Sequence, residues 1–259
     1  MMENTRDWNK LPQHPFTNYI TPKDKMKPAN LLPAAAIFDM DGVLVDSNPF
    51  HLEKWVNLLN LRRINYDPGA LPKLILGQRN DTVLRYFFGQ DMGKEERRRL
   101  EDSLEDTFRK AFKSHAKPLP GLESLIAGCT KECIPLAVAS SAMQKNVDFV
   151  VDALGFRKYF KIIVSGDDVS CPKPDPEIYI KAARLLGVKP EDCVAFEDSF
   201  VGIESAKGAG MKCVAIASTF PIDELKEQTH ADLVVQGFME LSVDILRQLF
   251  PEIKREAGT

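Results

Sequence analysis

Short apolar runs, each about as long as one strand, recur along the chain. Their apolarity is continuous rather than alternating, which is typical of strands buried on both faces of a parallel sheet. The predicted strands are Ala35–Phe38, Leu136–Ala139, Ile162–Val164, Cys193–Phe196, Lys212–Ile216 and Asp232–Val235.

Helical patterns lie between these runs. One covers Met143–Leu154 and is followed by Gly155, and another covers Pro176–Leu186 and is followed by Gly187. Proline at the start of a segment and glycine just past its end is the expected asymmetry of a helix. The alternation of strand and helix predicts an α/β fold with a doubly wound parallel sheet, Rossmann-like in its layers.

The segment between the first two predicted strands is too long for a single crossover, and its residue pattern differs from that of the rest of the chain. It contains three helical patterns, Phe50–Arg62, Asn80–Phe88 and Lys94–His115, and no strong strand. We therefore expect an all-helical cap domain inserted into the sheet domain. Ligands of such sheets bind at the carboxyl ends of the strands, so the cap would cover the site. The predicted divisions are an N-terminal extension at 1–33, an α/β core at 34–48 and 118–259, and the helical cap at 49–117.

Composition excludes several classes of function. The chain has 259 residues, of which 44% are hydrophobic and 27% charged, and its formal net charge is -3. This is ordinary globular usage, and without a basic excess we expect no nucleic-acid partner. No apolar stretch is long enough to predict a membrane span, and no signal-peptide core precedes the first strand. The five cysteines have no metal-binding spacing, and their odd count and lack of pattern suit a reducing cytosol, so we expect a cytoplasmic protein. We also expect a monomer, which is the default for a two-domain protein with a cap.

Two aspartates, Asp39 and Asp41, follow the first predicted strand and precede Gly42. Residues two apart on an extended chain share a face, so both carboxylates would point to one place. Two anions that close repel each other unless a cation or a proton separates them. The pair predicts a metal site in which Asp39 can attack phosphorus and Asp41 can move protons. The alternative is a turn rich in Asp and Gly that merely closes the strand.

Two serines, Ser140 and Ser141, follow the second predicted strand. A hydroxyl and backbone N–H groups ahead of a helix can hold phosphate oxygens. The alternative is that serine only caps the helix predicted at Met143–Leu154.

A lysine, Lys173, stands between Pro172 and Pro174. The prolines restrict the backbone around it, so its side chain is presented in a limited set of directions. One cation here would balance clustered carboxylates and a phosphate. The alternative is an exposed lysine in a turn.

Two adjacent acids, Glu197 and Asp198, follow the fourth predicted strand. Buried acids are costly unless they are paired or coordinate a cation. Oxygen ligands of this type suit Mg²⁺. The alternative is an ordinary helix N-terminus, where acids are common.

Taken together, these four segments resemble the four motifs of the haloacid dehalogenase superfamily. The first motif, with its tail from Gly42 to Ser47, is the most specific of them. The resemblance covers about residues 34–250 and is strongest to the β-phosphoglucomutase-like phosphatase branch, in which a helical cap follows the first motif. It implies the same Rossmann-like core and a phosphotransferase chemistry.

The resemblance also implies residue roles. Asp39 would be the nucleophile, and Asp41 the general acid and base. Ser140 would bind the transferring phosphoryl group, and Lys173 would neutralise charge. Mg²⁺ is the implied cofactor, and the implied ligands are Asp39, Asp41 through its backbone carbonyl, Glu197 and Asp198.

The same catalytic residues can serve a phosphatase or a mutase. The two differ in a second site, which in a mutase must hold the phosphate that is not being transferred. At the positions where the mutase pattern has polar residues after the second motif, this chain has Ala142 and Gln144, and near the cap glycine only Arg79 is basic. We therefore expect a phosphatase acting on a small phosphorylated metabolite such as a sugar phosphate. The alternatives are a β-phosphoglucomutase, which interconverts glucose 1-phosphate and glucose 6-phosphate, and a non-catalytic binding protein. The predicted substrate-binding residues are Ser141, His51, Gly77, Arg79 and Asn80.

Overall fold

The computed structural model describes residues 32–89 and 92–250. The predicted N-terminal extension therefore lies outside the described residues, apart from Leu32 and Pro33. The last nine residues of the predicted core, 251–259, also lie outside them.

The described residues contain one sheet of six strands, and every pairing in it is parallel. The strand order is β3-β2-β1-β4-β5-β6, so the chain builds one half of the sheet outward from β1 and then returns to build the other half. This is the doubly wound α/β arrangement expected from the sequence. The strands are β1 (Ala35–Phe38), β2 (Leu136–Ala139), β3 (Phe160–Val164), β4 (Cys193–Glu197), β5 (Lys212–Ile216) and β6 (Leu233–Val235).

The hydrophobic core lies on both faces of this sheet. Along β1, Ala35 and Ile37 belong to one apolar cluster, whereas Ala36 and Phe38 belong to the other. Successive side chains point to opposite faces of a strand, so burying both faces requires every position to be apolar. This explains why the predicted strands read as continuous apolar runs.

Five helices lie between β1 and β2, the first four of them in the segment predicted as the cap, and no strand element lies in the described part of this segment. Together, α1–α4 are called the helical insert below. Its largest buried side chains include Trp55 and Phe108, which belong to the same two apolar clusters as the sheet residues, so the insert packs against the core. Its helices are α1 (Asn48–Leu61), α2 (Leu71–Ile75), α3 (Asn80–Phe88) and α4 (Lys94–Phe112).

The helices of the insert differ from the predicted ones chiefly in two places. The short helix α2 was not predicted, because five residues are too few for a helical period to stand out. The predicted helix Lys94–His115 ends at Phe112 instead. The chain then returns to the sheet, where the N–H of Leu119 donates to the carbonyl oxygen of Leu44 at 3.1 Å, and a continued helix could not make that return.

Six helices accompany the remaining strands in the described part of the chain. One of them, α8, begins directly after β4, with Ser199 as its N-cap residue; the Ser199 hydroxyl accepts from the N–H of Gly202 at 3.2 Å. No described helix combines the length and apolarity that a membrane crossing needs. The helices are α5 (Leu122–Lys131), α6 (Gln144–Ala153), α7 (Glu177–Leu186), α8 (Phe200–Gly208), α9 (Ile222–Gln228) and α10 (Val243–Gln248).

Candidate active site

The two aspartates of the first motif lie just beyond β1, which ends at Phe38. The N–H of Asp39 still donates to the carbonyl oxygen of Phe196 at 3.0 Å, and Asp41 forms an isolated β-bridge with Val45, before a turn that begins at Gly42. The turn is tight: Gly42 has a φ of 77°, and its N–H donates to the carbonyl oxygen of Val45 at 2.8 Å. A Cβ at Gly42 would lie 2.0 Å from Oδ2 of Asp198. Glycine is therefore required both by the backbone angle and by the acid that packs against it.

The carboxylates of Asp39 and Asp41 line one cavity but have different partners. Asp41 accepts a hydrogen bond from the Ser47 hydroxyl at 2.5 Å, and its Oδ1 lies 3.0 Å from Nε2 of His51. The His51 ring stacks on Phe108 with 4.0 Å between centroids. Burial raises the pKa of Asp41, but the charge of His51 and the hydrogen bonds from His51 and Ser47 outweigh burial and lower the pKa below its usual value.

Lys173 is buried, with 2% of its surface exposed, so the alternative of an exposed turn lysine is wrong. Its Nζ donates to Oδ1 of Asp39 at 2.9 Å and to Oε1 of Glu197 at 2.6 Å. Burial lowers the pKa of Lys173, but the two carboxylates outweigh burial and raise the pKa above its usual value. The ammonium group is therefore charged at neutral pH.

Glu197 and Asp198 are buried and precede helix α8, so they are not the acidic first turn of a helix. Glu197 is held on both oxygens, since Oε1 also accepts from the Tyr179 hydroxyl at 2.7 Å and Oε2 accepts from the N–H of Asp198 at 3.1 Å. Asp198 accepts from Asn48 at 2.7 Å and from the Thr219 hydroxyl. Both acids are thus oriented by neighbours from distant parts of the sequence.

Oxygen atoms of Asp39, Glu197 and Asp198 all lie within 4.8 Å of one another. Burial raises the pKa of Asp39 to about 7; the charge of Lys173 opposes this rise, while Glu197 and Asp41 add to it. Burial, Glu197 and Asp39 raise the pKa of Asp198 well above its usual value. The single positive charge of Lys173 does not balance the negative charge of three carboxylates. This set of carboxylate oxygens therefore fits a hard divalent cation. The carboxylate of Asp41 is outside the cluster, and a role for its backbone carbonyl stays a prediction.

The serines after β2 do not cap helix α6, which begins at Gln144 with Met143 in the N-cap position and no side-chain cap. Instead, the Ser140 hydroxyl accepts from the N–H of Ala142 at 3.1 Å, and the Ser141 hydroxyl donates to the carbonyl oxygen of Gly77 at 2.8 Å. The first contact orients Ser140 in the loop, and the second joins this loop to the helical insert.

The insert residues predicted to bind substrate also line the cavity. Gly77 has a φ of 80°, and a Cβ there would lie 2.3 Å from the Ser199 hydroxyl, so the insert approaches the core closely at this point. Nη1 of Arg79 donates to the carbonyl oxygen of Val169 at 3.2 Å. Asn80 donates to Glu105. The predicted site residues on the cavity wall are Asp39, Asp41, His51, Gly77, Arg79, Asn80, Ser140 and Ser141.

Comparison with known families agrees with this geometry. A family model described as haloacid dehalogenase-like hydrolase matches residues 36–216. The chain belongs to the haloacid dehalogenase-like hydrolase family. The match contains all four motif segments, and it begins one residue inside β1.

Several curated relatives of the chain are named as phosphatases. The chain is 33% identical over 183 residues to a phosphorylated carbohydrates phosphatase of Thermotoga maritima, and the match covers 69% of this chain and 82% of the relative. It is 32% identical over 215 residues to the chloroplastic 5-amino-6-(5-phospho-D-ribitylamino)uracil phosphatase of Arabidopsis thaliana. That second match covers 83% of this chain but only 57% of the relative's length.

Among solved structures of the family fold, the chain is similar to a β-phosphoglucomutase from Clostridium difficile. The identity is 26% and the TM-score 0.74, and the match covers 85% of this chain and 97% of that chain. The expected fold, an α/β core of the haloacid dehalogenase type, is therefore confirmed.

Sequence reasoning missed a buried polar network that lines the same cavity of this hydrolase. Lys54 donates to Glu105, and Asn146 on α6 also donates to Glu105. Lys54 and Glu105 each have 3% of the side chain exposed. One signal was available: Lys54 follows His51 by three residues on helix α1, and residues at that spacing share a face.

Proposed function

We propose that this protein is a phosphatase that hydrolyses the phosphate monoester of a small metabolite, such as a sugar phosphate, with Mg²⁺ as its cofactor. One observation carries the proposal. Asp39, Ser140 and Asp198 follow the ends of three adjacent strands and lie close together. Asp39 contacts the buried ammonium group of Lys173, Asp198 belongs to the same acidic cluster as Asp39, and Ser140 lines the adjacent cavity. Such a set of oxygen ligands, a cation and a hydroxyl suits the charge distribution of phosphoryl transfer.

Mg²⁺ would be held by the carboxylates of Asp39 and Asp198, with Glu197 as the third acid of the cluster. Both oxygens of Glu197 already accept hydrogen bonds, so we assign it chiefly to orienting Lys173. When bound, the cation stabilises negative charge on the phosphoryl oxygens. Lys173 supplies a second positive charge to the same oxygens, and the Ser140 hydroxyl holds one of them.

We assign Asp39 as the nucleophile. Its Oδ1 accepts from Lys173, and its other oxygen attacks phosphorus. The phosphorus–oxygen bond to the leaving group breaks, while Asp41 donates a proton to the departing oxygen. A water molecule then attacks the aspartyl phosphate, Asp41 takes a proton from that water, and phosphate leaves with Asp39 restored.

Asp41 must carry a proton in the first step, although its pKa is lowered in the free protein. His51 faces Asp41 at 3.0 Å and is placed to supply that proton. A bound phosphate also raises the pKa of a neighbouring carboxyl group by repulsion. We propose that the helical insert acts as a cap, which closes over this step and excludes bulk water.

The direct test measures phosphate release from a panel of phosphorylated metabolites and an aryl phosphate, with and without Mg²⁺. We expect turnover that needs Mg²⁺ and is lost in D39N. Full activity in D39N would remove Asp39 from the nucleophile role. If the wild-type protein binds these esters, releases no phosphate and isomerises none of them, the remaining alternative, a non-catalytic binding protein on this fold, replaces the enzyme.

A second candidate is a β-phosphoglucomutase, favoured by the similarity to the Clostridium difficile structure. Ala142 stands on the cavity wall, where a mutase needs a side-chain donor for the distal phosphate, and this favours the phosphatase. Incubation with β-glucose 1-phosphate and a bisphosphate activator separates the two. Conversion to glucose 6-phosphate with little free phosphate would establish the mutase.

A further inference from the structure

We propose that Lys54, held in place by Glu105, contacts the leaving group and selects hydroxyl-bearing monophosphates over esters that carry a second phosphate. The inference rests on the proposed phosphatase function and names the substrate class of that same cavity. Neither residue belongs to the four motifs.

Lys54 is a buried cation with hydrogen-bonding capacity to spare. Its ammonium group donates to Glu105 and lies 5.3 Å from the centroid of the Phe108 ring. An ammonium group has three donors, and the described structure gives Lys54 one hydrogen bond. The residue lines the cavity together with Asp41, so its remaining donors are available to a ligand whose reacting oxygen lies at Asp41.

Glu105 fixes the position of this lysine. It accepts hydrogen bonds from Lys54 on α1, Asn80 on α3 and Asn146 on α6. These donors come from three helices, and Asn146 belongs to the sheet domain rather than the insert. Arg109 in turn donates to the carbonyl oxygen of the Asn146 side chain. A carboxylate bound from three directions holds its lysine in one orientation, which is the preorganisation that a selective contact needs.

The charges around the cavity disfavour a second phosphate. Among the described residues that line it, the only lysine and arginine are Lys54 and Arg79, and each already faces a carboxylate: Lys54 pairs with Glu105, and Arg79 lies 3.2 Å from Asp81. Away from Asp39 and Asp41, the wall also carries the acids Asp81, Glu101, Glu105 and Asp167. A phosphate dianion placed there would meet more negative than positive charge.

Hydrogen-bond acceptors on the wall favour hydroxyl groups. The buried side-chain oxygens Oε1 of Gln78 and Oε1 of Glu101 have no hydrogen-bond partner in the described structure, and both residues line the cavity. A buried acceptor without a donor is costly. A hydroxyl group donates to such oxygens, whereas a phosphate dianion has no proton to donate.

The first arm of the test is K54M, assayed with hexose and pentose monophosphates and with phenyl phosphate, which lacks hydroxyl groups. We expect kcat/KM for the sugar phosphates to fall by about 10-fold or more beyond any fall with phenyl phosphate, as for loss of a charged hydrogen bond. R99M, an exposed change on helix α4, is the matched control and should alter neither substrate class. Equal losses on both classes would overturn the inference.

The second arm is E105Q, assayed with fructose 1,6-bisphosphate and with the matching monophosphate, fructose 6-phosphate. Removing the neutralising acid frees the charge of Lys54, so the ratio of bisphosphate to monophosphate kcat/KM should rise by about 10-fold. A purely structural role for Glu105 would lower both values and leave the ratio unchanged. A wild-type protein that prefers the bisphosphate would also overturn the inference.

Binding separates this inference from the proposed function. If no ester is hydrolysed by the wild-type protein, the phosphatase proposal fails, yet affinities can still be measured by calorimetry in the D39N background. There, adding K54M should weaken binding of sugar monophosphates by about 10-fold more than binding of phenyl phosphate. Equal weakening of both ligands would refute the role of Lys54 independently of turnover.

Discussion

The ammonium group of Lys173 lies 2.9 Å from the carboxylate of Asp39, and the two residues are 134 positions apart in the chain. Both side chains are buried. Lys173 therefore holds the proposed nucleophile in place and offsets part of the negative charge that the active site concentrates.

Removing this cation should destabilise the protein. In K173M, Asp39 and Glu197 would be left as buried acids without their ion-pair partner, which costs about 3–5 kcal/mol of unfolding free energy. Urea denaturation at pH 7 without divalent cations measures the loss, and added Mg²⁺ should recover part of it. K181M, which removes a half-buried lysine beside Asp168, is the control and should change stability by less than about 1 kcal/mol. An unchanged urea midpoint in K173M would contradict the prediction.

The two aspartates of the first motif should respond differently to amide substitution. D39N removes the nucleophile and should abolish turnover. D41N should retain metal binding and lose about 10²–10⁴ in rate, because only proton transfer is removed. Turnover of an aryl phosphate and Mg²⁺ titration by calorimetry provide the two measurements. If D41N turns over at the wild-type rate, the acid–base assignment is wrong.

Two glycines of helix α8 make a matched pair. A Cβ at Gly202 would lie 2.1 Å from the carboxylate of Glu197, whereas a Cβ at Gly208 would make only ordinary contacts, the nearest at 3.6 Å. G202A should therefore displace Glu197 and lower both activity and melting temperature, although alanine favours helix by about 1 kcal/mol. G208A should leave activity unchanged. Equal activity of the two variants would show that the position of Glu197 is not critical.

Glu101 should make the stability of the protein depend on pH. Burial and the charge of Asp81 raise its pKa from 4.5 to about 6, against the opposing charges of Arg79 and Arg97. The folded state thus binds this proton more tightly than the unfolded state. The stabilising contribution is complete below pH 4.5 and is lost as pH rises through about 6.

The variant E101Q removes that titration. The unfolding free energy of E101Q should equal that of the wild-type protein at pH 4. At pH 8 it should be higher, by less than about 1 kcal/mol because the Glu101 carboxyl group is only half buried. Urea unfolding at the two pH values measures the difference. E95Q, a charge loss at an exposed site on the same helix, serves as the control. If E101Q differs in stability from the wild-type protein more at pH 4 than at pH 8, the pKa of Glu101 is not raised in the folded state.

Much of the sheet could be predicted because a strand that is buried on both faces appears in the sequence as a continuous apolar run. Each strand of the parallel sheet lies within two residues of an apolar run, since every position must be apolar whichever face it points to. The bounds of helix α3 were also predictable from its apolar period and the Gly89 that follows it. The short helix α2 was not, because its five residues span little more than one turn.

The candidate site was predictable residue by residue where a motif segment ends a strand. Asp39, Ser140 and Asp198 each follow a strand directly, and parallel strands bring their carboxyl ends to one edge. The carboxylates of Asp39 and Asp41 do line one cavity, but the spacing of the two residues did not predict their hydrogen-bond partners, which are Lys173 for Asp39 and Ser47 for Asp41.

The sequence by itself determined the order of strands and helices and the residues that reach the sheet edge, because hydrophobic period and turn residues act over short distances along the chain. Only the tertiary structure decided which polar groups meet inside. Lys54 and Glu105, separated by 51 positions, pair because helices α1 and α4 pack together, and Ser141 reaches Gly77 because the insert folds back on the core. Such contacts depend on how whole helices and strands pack against one another, and the spacing of residues along the chain does not predict that packing.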